Sequence, residues 1–239
     1  LFRSNYQSTT CSGLTAPAGG FFNDDSHGAT LRAFRADADF SLVEVNGALD
    51  PSWNLHYAGW DASNVAPSGT VGIHHPLGDA KKITAGPQPA TTDGCITPTT
   101  GRNTHWLAGP YTQGTTEGGS SGSGLFASAT NANGAPRRLI GTLSGGGAEC
   151  STTTPTQPNN GQDCYGKLAV AWIGSGTSSA NRLRDWLDPA NSGALSLDGI
   201  DQNETIVIAP TGHSQHATPP GIGARVPPQA ARAASAVEN

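Results

Sequence analysis

Short apolar runs rich in β-branched residues, each closed by glycine, proline or asparagine, set the pattern of this chain. Phe40-Ser-Leu-Val-Glu-Val45 is one such run and ends at an Asn46-Gly47 turn. Gly72-Ile-His-His-Pro76 predicts a strand that stops at proline, and Leu125-Phe-Ala127 the start of a buried one. Leu139-Ile-Gly-Thr-Leu143 predicts a strand that runs into Ser144-Gly-Gly-Gly147. Leu168-Ala-Val-Ala-Trp-Ile173 is a strand-sized apolar run. Residues 84–103 and 151–163, crowded with Thr, Pro, Gln and Asn, read as loops. A single helix is predicted: Ser178 or Ser179 caps it, Leu183, Trp186 and Leu187 share a face, and Pro189 stops it. Many short strands, Gly/Pro turns and one late helix predict an all-β barrel protein with a C-terminal helix.

Composition narrows the class. Of 239 residues only 13% are charged and 35% are hydrophobic, with 32 Gly and 17 Pro, which suits a turn-rich β protein. The net charge of −5 comes without a basic block, which argues against nucleic acid as a partner. No apolar run approaches the roughly 18 residues of a membrane span, so no membrane partner is expected either. Four cysteines (Cys11, Cys95, Cys150, Cys164) lack Cys-x-x-Cys spacing, which argues against structural zinc; low charge and abundant Ser, Thr and Gly favour a secreted, disulfide-bonded protein. Three pairings of the four are open. The chain contains no methionine and starts at Leu1 in what reads as mid-strand, which suggests a processed or incomplete polypeptide. From about residue 203 the composition turns to Pro, Ala, Gly, Gln and His, so 203–239 reads as tail or linker, with Thr205–Ala209 as a possible short strand.

The candidate chemistry gathers at Thr116-Glu-Gly-Gly-Ser-Ser-Gly-Ser-Gly124. Taken alone, the run reads as a flexible linker. Leading into a strand, it can hold one hydroxyl at a tight bend beside bare backbone N–H groups, which is what an activated serine and a developing oxyanion require. A serine needs a base, and the base an orienting carboxylate. Asp39, at the entrance of Phe40–Val45, is placed for that role, its plainer reading being a turn cap.

These segments, together with Ala58-Gly-Trp-Asp61 and Arg184-Asp-Trp-Leu-Asp-Pro189, occur in an order that resembles the bacterial secreted lysyl endopeptidases, a branch of the chymotrypsin-like serine peptidases. The resemblance runs over residues 1–202 and implies a double β-barrel with its active site between the barrels, the first barrel incomplete here. It implies Ser121 as nucleophile, Asp39 as triad acid, and the N–H groups of Gly119 and Ser121 as oxyanion hole. The family's catalytic histidine precedes the Asp in an Ala-His-Cys-type motif. Only His27 precedes Asp39 here, in a loop-like Asn23-Asp-Asp-Ser-His-Gly28, so the base is expected ahead of Leu1. His74 and His75 match a non-catalytic strand, and His56, His105, His213 and His216 carry no motif. The chain as it stands is thus expected to be close to inactive.

The resemblance also places substrate binding. Ser144, Gly145 and Gly146 match the segment that pairs with substrate as an antiparallel strand. Asp163 matches the family's pocket acid, favouring cleavage after lysine and leaving arginine open; its plainer reading is a loop acid. Thr115 stands where trypsin-type enzymes carry their acid. Lysyl relatives have a histidine at the position of Ser144 and a tryptophan near Thr97. Cys11 and Cys150 are implied to pair outside this chain, and a Cys95–Cys164 bridge bracing the pocket is a further expectation. No cofactor or metal is expected, protein or peptide substrates are, and the enzyme is expected to be monomeric and extracellular. Two rival readings remain: an inactive homologue serving as a binding module, and a carbohydrate-binding or adhesion module with Trp53, Trp60, Trp106 and Tyr111 as its platform, although these scattered aromatics read more simply as core or loop residues.

Overall fold

Strand β12 (Arg138–Gly146) organises the molecule because both of its faces are buried. Leu139 packs into one apolar cluster and Ile140 and Leu143 into another, so the strand reads as a continuous apolar run rather than an alternating one. The computed structural model describes residues 2–3, 6–8, 25–26, 28–93, 102–128, 138–150 and 161–203. Ahead of β12 lie β1 (Phe2–Arg3), β2 (Asp25–Ser26), β3 (Ala29–Arg35), β4 (Phe40–Val45), β5 (His56–Tyr57), β6 (Gly59–Asp61) and β7 (Gly69–His74). They are followed by β8 (Lys82–Pro87), β9 (Ala90–Thr92), β10 (His105–Ala108) and β11 (Gly124–Ala127). After β12 come β13 (Asp163–Lys167), helix α1 (Leu168–Ile173), helix α2 (Arg184–Leu187), β14 (Ser196–Leu197) and β15 (Ile200–Asp201).

The main sheet runs β8-β7-β11-β12-β13-β10-β9, and all neighbours on that path are antiparallel. It curls into a half-barrel. Past the end of β10 the chain returns to β8, where Ala85 bridges Gln113 and the Thr112 N–H donates to Ala85 O at 2.8 Å. The interior of the curl holds Trp106, Ala108, Leu125, Ile140, Leu143 and Tyr165. The second cluster sits on the other face of β12, under the β3–β4 hairpin and the helices, around Phe40, Leu42, Trp60, Leu168, Trp172 and Leu183. The rings of Trp60 and Trp172 lie 4.3 Å apart, and truncating either buried indole to alanine is expected to cost about 3–5 kcal/mol.

The mostly-β architecture with a helical C-terminal segment agrees with the expectation of a chymotrypsin-like barrel. Three local expectations need revision. Leu168–Ile173 is a helix, not a strand: Leu168, Ala169, Ala171 and Trp172 are buried, and Gly174, at a φ of 66°, ends it. The predicted later helix is split into a 3₁₀ turn over Ser179–Asn181, capped by the Ser178 hydroxyl, and the short α2. Residues 84–92 are not all loop, because β8 extends to Pro87 and Ala90–Thr92 forms an edge strand on β10. Edge positions tolerate proline and polar residues, which disguised both strands. The possible strand at 205–209 and the tail from 204 onward lie outside the described residues.

Candidate active site

The Ser/Gly run is a tightly held loop, not a linker. Its turns are closed by Ser120 N–H to Glu117 O at 3.0 Å and Ser123 N–H to Ser120 O at 3.1 Å. Two further bonds fasten it to β12: Gly122 N–H to Leu143 O at 2.7 Å, and Leu143 N–H to Ser123 O at 2.9 Å. Ser120 is buried and acts as the anchor. Its hydroxyl accepts from the Glu117 N–H at 3.2 Å and shares a 2.8 Å hydrogen bond with Nδ1 of the buried His74. Burial, reinforced by His75 and Lys82, pushes the His74 pKa down to about 4, so the imidazole is neutral at physiological pH. Its Nε2 has no partner among the described residues.

Ser121 points the other way. It is exposed, and neither its hydroxyl nor its N–H is bonded among the described residues. The N–H of Gly119, held at a φ of 84° that favours glycine, is equally unbonded, as is that of Gly118. In a loop where the amides of Glu117, Ser120, Gly122 and Ser123 are all engaged, the bare ones flank the exposed hydroxyl.

Asp39 is carried to the same part of β12. It follows a 3₁₀ turn over Ala36–Ala38 and adopts a left-handed conformation, with φ 46° and ψ 57°, which aspartate tolerates. Its carbonyl accepts from the Thr142 hydroxyl at 3.2 Å, one residue before Leu143, which holds the serine loop. The turn presses so closely on β13 that a Cβ at Gly166 would stand 2.0 Å from Ala38 O. Nearby, buried His105 bonds Ser144 Oγ through Nε2 at 3.1 Å and Thr104 Oγ1 through Nδ1 at 2.7 Å. Burial pushes the His105 pKa down; Asp39 and Asp37 pull it back up, and Lys167 adds to the depression. The Asp39 carboxylate is therefore within electrostatic reach of the His105–Ser144 pair.

Asp163 is nearly sealed, at 2% exposure, in a nest of hydroxyls. Oδ2 accepts from Tyr111 Oη at 2.8 Å and from Thr116 Oγ1 at 2.6 Å, while Oδ1 accepts the Ala148 N–H at 3.3 Å. Tyr165 Oη lies 2.9 Å from Tyr111 Oη. Burial first, and then the Tyr165 hydroxyl and the Asp163 charge, raises the Tyr111 pKa; burial also raises that of Tyr165, which the bond to Tyr111 lowers in part and the Asp163 charge raises further. Both phenols therefore stay protonated. Gly146 lies directly against the acid, since a Cβ there would stand 2.4 Å from Asp163 Oδ1. Gly145 and Gly146 pair with Cys164 and Asp163 on one edge. The opposite edge of Ser144–Gly146 has no strand neighbour among the described residues, because the β11 ladder ends at Thr142.

Comparison with known proteins gives the family. The sequence model described as "Lysyl endopeptidase, C-terminal domain" matches residues 1–166. The chain belongs to the lysyl endopeptidase family. It is 33% identical over 154 residues to the lysyl endopeptidase of Pseudomonas aeruginosa, a match covering 62% of this chain and 30% of that relative. It thus spans about 30% of the length of the lysyl endopeptidase it matches.

Among the described histidines of this lysyl endopeptidase homologue, none bonds Ser121. His74 and His105 are engaged as above, His75 stacks on Tyr6 and bonds Asp79 O, and His56 pairs with Asp201. His27, His213 and His216 lie outside the described residues. The aromatic platform is not formed: Trp60, Trp106 and Tyr111 are all buried, at 6% exposure or less, and belong to the interior. Cys150 is a free, exposed thiol and Cys164 is disulfide-bonded, while Cys11 lies outside the described set. Cys95 and Thr97 lie outside it too.

Sequence reasoning passed over Tyr111, Thr116 and Tyr165 around Asp163, and the Ser120–His74 anchor. One signal was present: Asp163 and Tyr165 alternate on one strand and so share a face. Thr116 is one residue from Thr115, which the trypsin comparison singled out.

Proposed function

We propose that this chain forms the greater part of the catalytic domain of a secreted serine endopeptidase that cleaves after lysine. The observation that supports it best is the exposed Ser121 hydroxyl flanked by the unbonded amides of Gly119 and Ser121, with Asp39 held against the same stretch of β12. In this reading the substrate backbone pairs with the open edge of Ser144–Gly146, and its lysine side chain reaches Asp163. Ser121 Oγ then attacks the scissile carbonyl carbon as its proton passes to an imidazole. The two amides hold the resulting oxyanion, the C–N bond breaks as the imidazole returns the proton to the amine, and water releases the acyl group by the same steps in reverse roles.

The base belongs to the longer polypeptide, ahead of Leu1, where Asp39 would orient it. A bridge from Cys164 beside the pocket acid fits an extracellular enzyme, with Cys95 as its proposed partner. Loss of a triad histidine costs about 10⁶-fold in kcat, so the chain on its own is expected to be nearly inert. The competing reading, an inactive homologue that binds peptides, draws on the lack of a histidine on Ser121 among the described residues. Digestion of a denatured protein by the complete polypeptide, with the cut sites read by mass spectrometry, tests the proposal. Cuts following lysine are expected. No cutting, or cuts indifferent to lysine and arginine, would overturn it.

A further inference from the structure

The hydroxyls around Asp163 can be counted. A carboxylate offers about four acceptor positions, two on each oxygen. Tyr111 and Thr116 both donate to Oδ2 and fill it. Since Tyr111 spends its one proton on Asp163, the 2.9 Å contact with Tyr165 requires Tyr165 to be the donor there, which locks the Tyr111 hydroxyl in orientation. Oδ1 holds only the long 3.3 Å bond from Ala148 N–H and faces the bare α-carbon of Gly146. The remaining acceptor capacity of the carboxylate is thereby confined to one oxygen.

That asymmetry discriminates between the two cationic side chains. An ammonium is a compact charge that is satisfied by a single strong acceptor, whereas a guanidinium binds best as a planar fork on both oxygens. We infer that Tyr111 sets the preference for lysine over arginine by occupying Oδ2, leaving Oδ1 as a single-point acceptor. This rests on Asp163 being the pocket acid. It assigns selectivity to a hydroxyl brought in from the loop after β10 rather than to the charge, which both cations share. Thr116 acts on the same oxygen.

The test uses side-chain mimics on the full chain, so it does not depend on turnover. Backbone amide shifts of Ala148 and Cys164 are followed by NMR during titration with n-butylammonium and with n-propylguanidinium. The unaltered chain is expected to bind the ammonium more tightly, and Asp163→Asn to lose both ligands. Tyr111→Phe is expected to tighten guanidinium binding about tenfold while ammonium affinity changes little. Thr116→Val, a smaller change at the same oxygen, should move the ratio in the same direction and serves if Tyr111→Phe yields a poorly dispersed spectrum. If Asp163→Asn abolishes binding but neither variant shifts the ratio, the inference fails while the pocket reading stands. If the unaltered chain binds neither mimic, or Asp163→Asn binds both as before, the pocket reading fails and the inference with it.

Discussion

Around Asp163 each nearby hydroxyl is committed to a partner; around Ser121 three amides, those of Gly118, Gly119 and Ser121, and a hydroxyl are left bare among the described residues. The two regions are neighbours on β12 and β13, yet they are built to opposite rules. A buried charge without donors would be costly, so the acid sits among tyrosine and threonine hydroxyls and is rigid before any ligand arrives. On the proposed reading the Ser121 loop is a site for charge that develops only during reaction, and such a site has to keep its donors free and in place beforehand. The cost of that freedom falls on the surrounding loop. Glu117, Ser120, Gly122 and Ser123 are all hydrogen-bonded, so that Gly119 and Ser121 need not be. The contrast suggests that rigidity in this molecule is placed one residue away from reactivity.

The contrast breaks most visibly at the acid. Asp163→Asn in the complete enzyme is expected to lower kcat/KM on lysyl substrates by about 10³-fold, because a substrate cation would then be buried against a neutral amide. Steady-state kinetics on lysyl peptides measures it; a loss below tenfold would place the cation elsewhere. At the loop, the expected effect is smaller and pH-dependent. The folded His74 pKa, about 4, lies below its ordinary value of 6.5, so the unfolded state binds the proton first. This contribution to stability is complete above about pH 6.5, falls as pH drops through the window, and is lost below about 4, for roughly 3 kcal/mol at most. Urea unfolding of the full chain between pH 7 and 4 should show that loss, and His74→Asn should flatten it. An unchanged slope in the variant would show that other groups carry the acid sensitivity.

How much of this was readable in advance follows from distance along the chain. The serine loop and Asp39 announce themselves locally, since a Gly-rich bend entering a strand and an acid at a strand's entrance are short patterns. Tyr111 meets Asp163 across 52 residues and His105 meets Ser144 across 39, and nothing in either neighbourhood marks them. The sequence sets His74 apart from catalysis, and its bond to Ser120, 46 residues away, appears only once β7 and β11 are paired. The apolar run at 168–173 had no period to read, because helix and strand burial look alike when nearly every position is covered. Trp60 and Trp106, scattered in sequence and so more simply read as core or loop residues than as a platform, are buried.

The most direct test of the account is covalent. Treat the complete polypeptide with a fluorophosphonate and map the adduct by peptide mass spectrometry. A single phosphonylated residue, Ser121, abolished by Ser121→Ala, is the predicted result. Labelling at Ser120 or elsewhere in the loop, or none in a correctly folded complete protein, would contradict the assignment of the exposed hydroxyl as the nucleophile.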